Sequence, residues 1–190
     1  MSPIPAFEVG LWNAWILTTL LFLFIMLSGL LPKDIGKRIT PNKEDNKNRR
    51  VMLIVFFTMI IYSIFLPLKL GTVWFYAGLA VYVLGFIISI AALFSIAVTK
   101  PGEPFTTGMY RYSRHPIGLG TLLPMIGAGI ASASWLFLLL SLILMVISQF
   151  LAITEERATT KKFGDTYKEY IARTPRWLGI PKSQPVAKGK

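Results

Sequence analysis

The chain contains no cysteine and only one histidine among its 190 residues. The absence of cysteine excludes disulfides, thiolate metal sites and cysteine nucleophiles, and we predict no metal centre. Acidic residues are also few, because nine Asp and Glu stand against 20 Lys and Arg. Any acid–base chemistry must therefore come from a small set of side chains.

Hydrophobic residues, in contrast, make up 54% of the sequence, which is more than a soluble domain of this length hides in one core. A bilayer-spanning helix needs roughly 20 mainly apolar residues. The sequence predicts an all-α integral membrane protein with five such spans, the last two forming a hairpin turned by ASAS at 131–134, followed by a helical extension. The predicted spans are 11–31, 51–68, 73–98, 117–130 and 135–153.

The distribution of Lys and Arg predicts the orientation of these spans. Basic residues collect in 32–50, in 99–116 and after 153, whereas the opposite loops hold only Lys69. Because cytoplasmic loops are enriched in Lys and Arg, we expect the N-terminus outside and the C-terminus inside. The net charge of +11 then reflects topology and the anionic lipid surface, not nucleic-acid binding. The compact chain favours a prokaryotic plasma membrane, and the sequence does not define an oligomeric state.

The first three predicted spans contain no ionisable residue, so polar chemistry is expected in the segments 101–120 and 153–178. We therefore divide the chain into three N-terminal spans (1–98) and a functional part (99–190). In YRYSRHP, Pro116 suits the first turn of a helix, whose unpaired N–H groups favour an anionic ligand. The alternative is that the arginines are membrane anchors and the nearby glycines only pack helices.

Glu155 and Glu156 follow the last predicted span, so we expect that helix to continue beyond the membrane. Adjacent helical residues point about 100° apart, so one carboxylate can face a pocket while the other pairs with a cation such as Arg114 or Arg157. Aromatic residues at Phe163, Tyr167 and Tyr170 are expected to fold back on the core.

The order of these residues resembles the isoprenylcysteine carboxyl methyltransferase and phospholipid methyltransferase superfamily of membrane enzymes. The resemblance covers roughly residues 99–181. It rests on Gly108, Tyr110, Arg114-His115-Pro116, an apolar hairpin, Glu155-Glu156, Phe163-Gly164, Tyr167, Tyr170 and Arg176.

The resemblance implies an S-adenosylmethionine pocket at the cytoplasmic ends of the last spans, open sideways to lipid. By position it implies a cofactor-binding set of Tyr110, His115, Gly118, Leu119, Glu155, Glu156 and Arg176, with Arg114 and Glu156 in catalytic roles. Gly118 departs from the family, which commonly has tyrosine there. We therefore expect a roomier pocket, with Tyr110 or Tyr112 as a substitute.

In this interpretation a glutamate binds the amine of the cofactor, and Arg176 or the start of the fourth span binds its carboxylate. The acceptor is a lipophilic molecule whose reacting group is a carboxylate oriented by Arg114, an amine deprotonated by a glutamate or His115, or a hydroxyl. Two other functions stay open: an NADPH-dependent sterol-type membrane reductase, and a non-enzymatic membrane subunit.

Overall fold

The computed structural model describes residues 8–28, 46–100 and 102–181. Within these ranges the chain forms six α-helices and no β-strand. A short 3₁₀ helix, Gly108–Arg111, precedes the fourth helix. The helices are α1 Trp15–Ser28, α2 Asn46–Ser63, α3 Val73–Val98, α4 Pro116–Ala131, α5 Trp135–Phe163 and α6 Asp165–Arg173.

The predicted spans agree with the helices best from residue 73 onwards. The span 73–98 coincides with α3, 117–130 lies within α4, and α5 continues ten residues past the predicted end at 153. The helical extension is therefore confirmed.

The predicted bounds of the first two spans are wrong where residues next to these two helices contact each other. The first helix begins at Trp15, not at 11, and the second covers 46–63, not 51–68. The residues before α1 and after α2 are not helical, because they form hydrogen bonds with each other. The Ala14 amide donates to the Leu66 carbonyl at 2.8 Å, and the Asn13 side chain donates to the Ile64 carbonyl at 2.7 Å. The predicted residues 29–31 lie outside the described ranges.

Two of the described helices, α3 and α5, are long and apolar enough to cross a bilayer, with mean hydropathies of 2.5 and 2.7. The apolar helices α1 and α4 are shorter. Only 22% of the most apolar stretch of α5 is buried, and Leu139, Val146 and Phe150 are exposed along it. An apolar surface of this extent suits contact with lipid, so the protein is an all-α, membrane-associated molecule. Five crossings with the N-terminus outside stay a prediction.

The closest helix pair is α3 with α4, and glycines set their separation. Gly78 and Gly85 on α3, and Gly120 and Gly127 on α4, each recur after seven residues and so lie on one face of their helix. A Cβ at Gly127 would lie 2.6 Å from the Gly78 carbonyl oxygen and 2.7 Å from the Tyr82 nitrogen. Because both neighbours are backbone atoms, only glycine permits this approach. A similar contact at Gly120, where a Cβ would lie 3.0 Å from the Gly85 carbonyl oxygen, holds the first half of α4 against α3.

We predict that Gly127→Ala lowers the free energy of unfolding by about 1–3 kcal/mol, because the added methyl forces two backbones apart. Denaturant titration of the protein in detergent measures this change. Ala77→Ser adds one heavy atom to the exposed face of α3 and is expected to leave stability within about 0.5 kcal/mol. Equal stabilities of the two variants would contradict the proposed close packing.

Candidate functional site at the start of the fourth helix

The segment before α4 is held in place by the C-terminal segment 175–179. The amides of Arg114 and His115 donate to the carbonyls of Pro175 and Arg176 at 3.1 and 3.3 Å, and the Gly179 amide donates to the Tyr112 carbonyl at 3.0 Å. These bonds run between stretches about 60 residues apart in the chain. They bring the side chain at 176 beside the RHP motif, which residue spacing alone does not predict.

Glu156 is the centre of the resulting charge cluster. Its carboxylate accepts two hydrogen bonds from Arg176, from Nε to Oε1 and from Nη2 to Oε2, both at 2.8 Å. Nε2 of His115 lies 3.2 Å from Oε1, and Nη1 of Arg114 lies 3.1 Å from Oε2. The residue is only 7% exposed, so these three cations replace the water that a buried carboxylate needs.

Glu155 has a different environment from its neighbour. Its Oε2 lies 3.4 Å from Nδ1 of His115, and 41% of its side chain is exposed. The imidazole therefore lies between two carboxylates, with one nitrogen towards each. The expectation that one glutamate faces a pocket while the other pairs with Arg114 agrees with this arrangement.

Glu156 and His115 shift each other's pKa. Burial alone raises the pKa of Glu156, but hydrogen bonds from His115 and Arg176 and the charge of Arg114 outweigh it and lower that pKa to about 2. Burial alone lowers the pKa of His115, but its bonds to Glu155 and Glu156 reverse the effect, so the pKa is raised above its ordinary value of 6.5. The imidazolium form therefore fits this site.

A cavity of about 1050 Å³ lies beside the cluster. One end is polar and is lined by Arg114, His115, Glu155, Lys162 and Tyr167. The other end is mainly apolar and is lined from α1, α2 and α5 by Phe24, Ile25, Met52, Phe56, Leu144 and Leu151, although Arg49 of α2 also lines the cavity. The cavity lies at the upper limit of ligand-binding pockets, which span roughly 300–1,000 Å³. Its lining offers both polar and apolar surface to a ligand.

The predicted site residues divide into two groups around this cavity. Those that line it are Tyr110, Arg114, His115, Gly118 and Glu155. Leu119, Glu156 and Arg176 are not part of its lining, because the last two are turned towards each other. The geometry therefore places Glu156 and Arg176 behind the pocket wall, where they hold Arg114 and His115.

Trp177 is a cavity residue that the sequence interpretation missed. Its ring centroid lies 6.2 Å from that of His115, and its Nε1 donates to Oε1 of Gln149 at 2.8 Å. A Cβ at Gly118 would lie 3.6 Å from the Trp177 ring, so this ring occupies the space beside the glycine. Of the two tyrosines suggested as substitutes, Tyr110 lines the cavity, whereas Tyr112 is exposed and does not. Its position directly after Arg176, a predicted site residue, is the sequence feature that could have identified it.

The molecule is thus a helical membrane protein with a charged pocket at the end of its apolar helices. The sequence profile of the phospholipid methyltransferase family matches residues 73–166, which cover α3, α4 and α5. Through this segment the chain belongs to that family of methyltransferases, as the motif order predicted. No curated protein matches the chain. Arg114, His115, Glu155 and Glu156 fall inside the matched segment, whereas Trp177 and Arg176 lie beyond it.

The two adjacent glutamates provide a matched pair of variants for testing the cluster. Glu156→Gln is expected to lower the free energy of unfolding by about 3 kcal/mol, because it leaves Arg114 and Arg176 without their counter-charge. Glu155→Gln removes a half-exposed partner and is expected to cost less than about 1 kcal/mol. Denaturant titration in detergent measures both, and a smaller effect at Glu156 than at Glu155 would contradict its central role.

Stability is expected to depend on pH through the same contact. The lowered pKa of Glu156 gives stability that is complete above its ordinary value of 4.5 and is lost as the pH falls towards about 2. The raised pKa of His115 gives stability that is complete below 6.5 and is lost as the pH rises through the raised value. The contribution of the cluster is therefore greatest between pH 4.5 and 6.5.

Melting temperatures of the detergent-solubilised protein between pH 4 and 9 test this window. Because His115 is the single histidine, His115→Gln is expected to remove the decline just above pH 6.5. A decline of the same size in that variant would show that another group causes it.

Proposed function

We propose that the protein is an integral membrane methyltransferase that uses S-adenosylmethionine and methylates a lipophilic acceptor at the cytoplasmic membrane interface. The observation that carries this proposal is the cavity that joins a charged end, largely within the family-matched segment, to a mainly apolar end between apolar helices. A water-soluble acceptor has no use for the apolar end.

The residues of the charged end suit the proposed cofactor. Its amine needs a carboxylate, and Glu155 is the member of the glutamate pair that lines the cavity. Its nucleoside base needs an aromatic or apolar surface, which Trp177 and Tyr110 offer. When bound, the cofactor supplies an electrophilic methyl group on a sulfonium.

The protein contributes mainly alignment and exclusion of water to such a reaction. Methyl transfer is an in-line displacement, in which a fixed approach of the two reactants gives much of the acceleration. Trp177, on the tethered segment 175–179, lines the cavity, and Glu156 holds Arg114 and His115 in place. We infer that Glu156 is a positioning residue, with no direct contact to the reacting atoms.

Three reacting groups on the acceptor are compatible with this site. A carboxylate is already a nucleophile and needs no base. An amine must lose a proton first, for which Glu155 lies at the cavity and His115 beside it. A hydroxyl requires the same help. The methyltransferase family favours these reactions over the NADPH-dependent reductase and over a non-enzymatic subunit.

The apolar end of the cavity suits the tail of the acceptor. Phe24, Met52 and Phe56 come from α1 and α2, which lie outside the family-matched segment. We propose that these two helices select the tail, while the matched segment performs the common chemistry. The tail then stays at membrane depth and only the reacting head enters the charged end.

The charged end is proposed to face the cytoplasm of a prokaryotic cell. This proposal rests on the excess of Lys and Arg in 32–50, in 99–116 and after 153. Membrane lipids are the surrounding partner, and nucleic acid is not expected as a ligand.

Titration of the purified protein with labelled S-adenosylmethionine and with NADPH tests the cofactor. We expect binding of S-adenosylmethionine, weakened about tenfold in Glu155→Gln because a charged hydrogen bond is lost. Glu169→Gln is the control, since Glu169 pairs with Arg173 on the exposed face of α6, and the affinity of this variant is expected to be unchanged. Binding of NADPH in place of S-adenosylmethionine would contradict the proposal.

Radiolabelled methyl transfer onto a lipid extract then identifies the acceptor class. A base-labile label indicates an ester, and a stable label indicates a methylated amine or ether. The absence of any labelled lipid from extracts of several bacterial and archaeal membranes would argue against an enzyme.

A further inference from the structure

The segment after α6 returns to the level of the apolar part of α5. The helix α5 continues past its predicted span 135–153, and α6 follows it directly. The chain then reverses, because Nε1 of Trp177 donates to Oε1 of Gln149 at 2.8 Å. Gln149 lies inside that span, about 6 Å from its end at the rise of an α-helix. The indole of Trp177 therefore lies at the depth where the span ends.

Two apolar side chains beside Trp177 are exposed. Leu178 is 60% exposed and Ile180 is 89% exposed. Their positions are fixed by the backbone, because the Gly179 amide between them donates to the Tyr112 carbonyl at 3.0 Å. Apolar side chains that are held in an exposed position are unfavourable in water, so an apolar environment around them would be stabilising.

The neighbours of this apolar pair are typical of a membrane–water interface. Tyr112 is 48% exposed, and Trp177 combines an apolar ring with an N–H that is bonded to a polar group. Trp and Tyr are enriched at this boundary because they present an apolar body and a polar tip. Arg111 is exposed directly before Tyr112, and its positive charge suits the headgroups of anionic lipids.

We propose that the segment 177–180 is an interfacial membrane anchor, in which Leu178 and Ile180 insert into an anionic bilayer beside α5. Lipid is favoured over a protein partner by Phe150, which follows Gln149 and is 55% exposed on a helix apolar enough to cross a bilayer. Lipid that surrounds this helix is already present at the depth of the segment. The inference goes beyond the proposed function, since it holds for any cofactor and any acceptor.

The anchor connects the bilayer to the charge cluster. Arg176, directly before the anchor, donates both of its hydrogen bonds to Glu156, and its carbonyl accepts from the His115 amide. Release of this short segment would therefore remove Arg176 from the cluster. Burial of Leu178 and Ile180 in lipid is available only to the bound segment, so it stabilises the assembled cluster.

Spin labels at introduced cysteines test the depth of the anchor, since the chain has no cysteine of its own. Leu178→Cys and Ile180→Cys are labelled with a nitroxide in vesicles of phosphatidylcholine and phosphatidylglycerol. We expect more collisions with oxygen, which partitions into lipid, than with a water-soluble nickel chelate. Val146→Cys, on the exposed apolar surface of α5, is the control for lipid, and Glu169→Cys, on the exposed face of α6, is the control for water.

An accessibility profile at both anchor positions that matches Glu169→Cys would overturn the anchor. Protection of both labels from both reagents would overturn it as well, because it would show that protein and not lipid covers the segment. Neither measurement uses S-adenosylmethionine, so failure of the anchor is distinct from failure of the proposed cofactor.

Trypsin digestion in the same vesicles tests the connection to the cluster. Cleavage after Arg176 requires its release from Glu156, so the cleavage rate reports opening of the segment. In the double variant Leu178→Gln/Ile180→Gln we expect this rate, followed by mass spectrometry, to rise about tenfold, because lost burial of one aliphatic side chain accounts for that factor. Cleavage after exposed Lys168 is the internal reference and is expected to keep its rate. An equal rise at both sites, or no rise after Arg176, would contradict the connection.

Discussion

The buried carboxylate of Glu156 is the constraint on which the rest of the site depends. A carboxylate with 7% exposure is stable only if other groups replace its lost hydration, and here Arg176, His115 and Arg114 do so. These cations come from two places: Arg114 and His115 lie directly before α4, and Arg176 lies in the C-terminal segment. One side chain on α5 therefore joins that helix to two segments that are also bonded to each other.

This arrangement gives two neighbouring glutamates opposite uses. Both carboxylate oxygens of Glu156 accept hydrogen bonds from Arg176, which leaves little capacity for a ligand. Glu155, in contrast, is 41% exposed and lines the cavity. Arg114 contacts both the cluster and the cavity, because its Nη1 lies 3.1 Å from Oε2 of Glu156 and its side chain lines the cavity with Glu155.

The cavity also shows how a shared chemical core acquires a specific acceptor. Its charged end is built largely by the family-matched segment 73–166, while α1 and α2 complete its apolar end. The glycine contacts between α3 and α4 keep the core rigid, because backbone atoms there have no room to shift. Variation in the outer helices can then change the tail that is accepted without disturbing the ionic cluster.

Composition and residue order alone determined the all-helical membrane class and the family. They also determined the bounds of α3, the continuation of α5 beyond its apolar span, and the difference in environment between Glu155 and Glu156. These follow from local rules, namely hydropathy over about 20 residues and the 100° step of a helix. The helix ends near 11 and 68 were missed because long-range bonds between Asn13, Ala14 and the end of α2 override local pattern. Only the tertiary structure decided that Arg176 faces Glu156, that Trp177 lies beside Gly118 and that Arg114 lies within ion-pair distance of Glu156. Each depends on the pairing of 175–179 with 112–115, a contact between distant segments that no local pattern encodes.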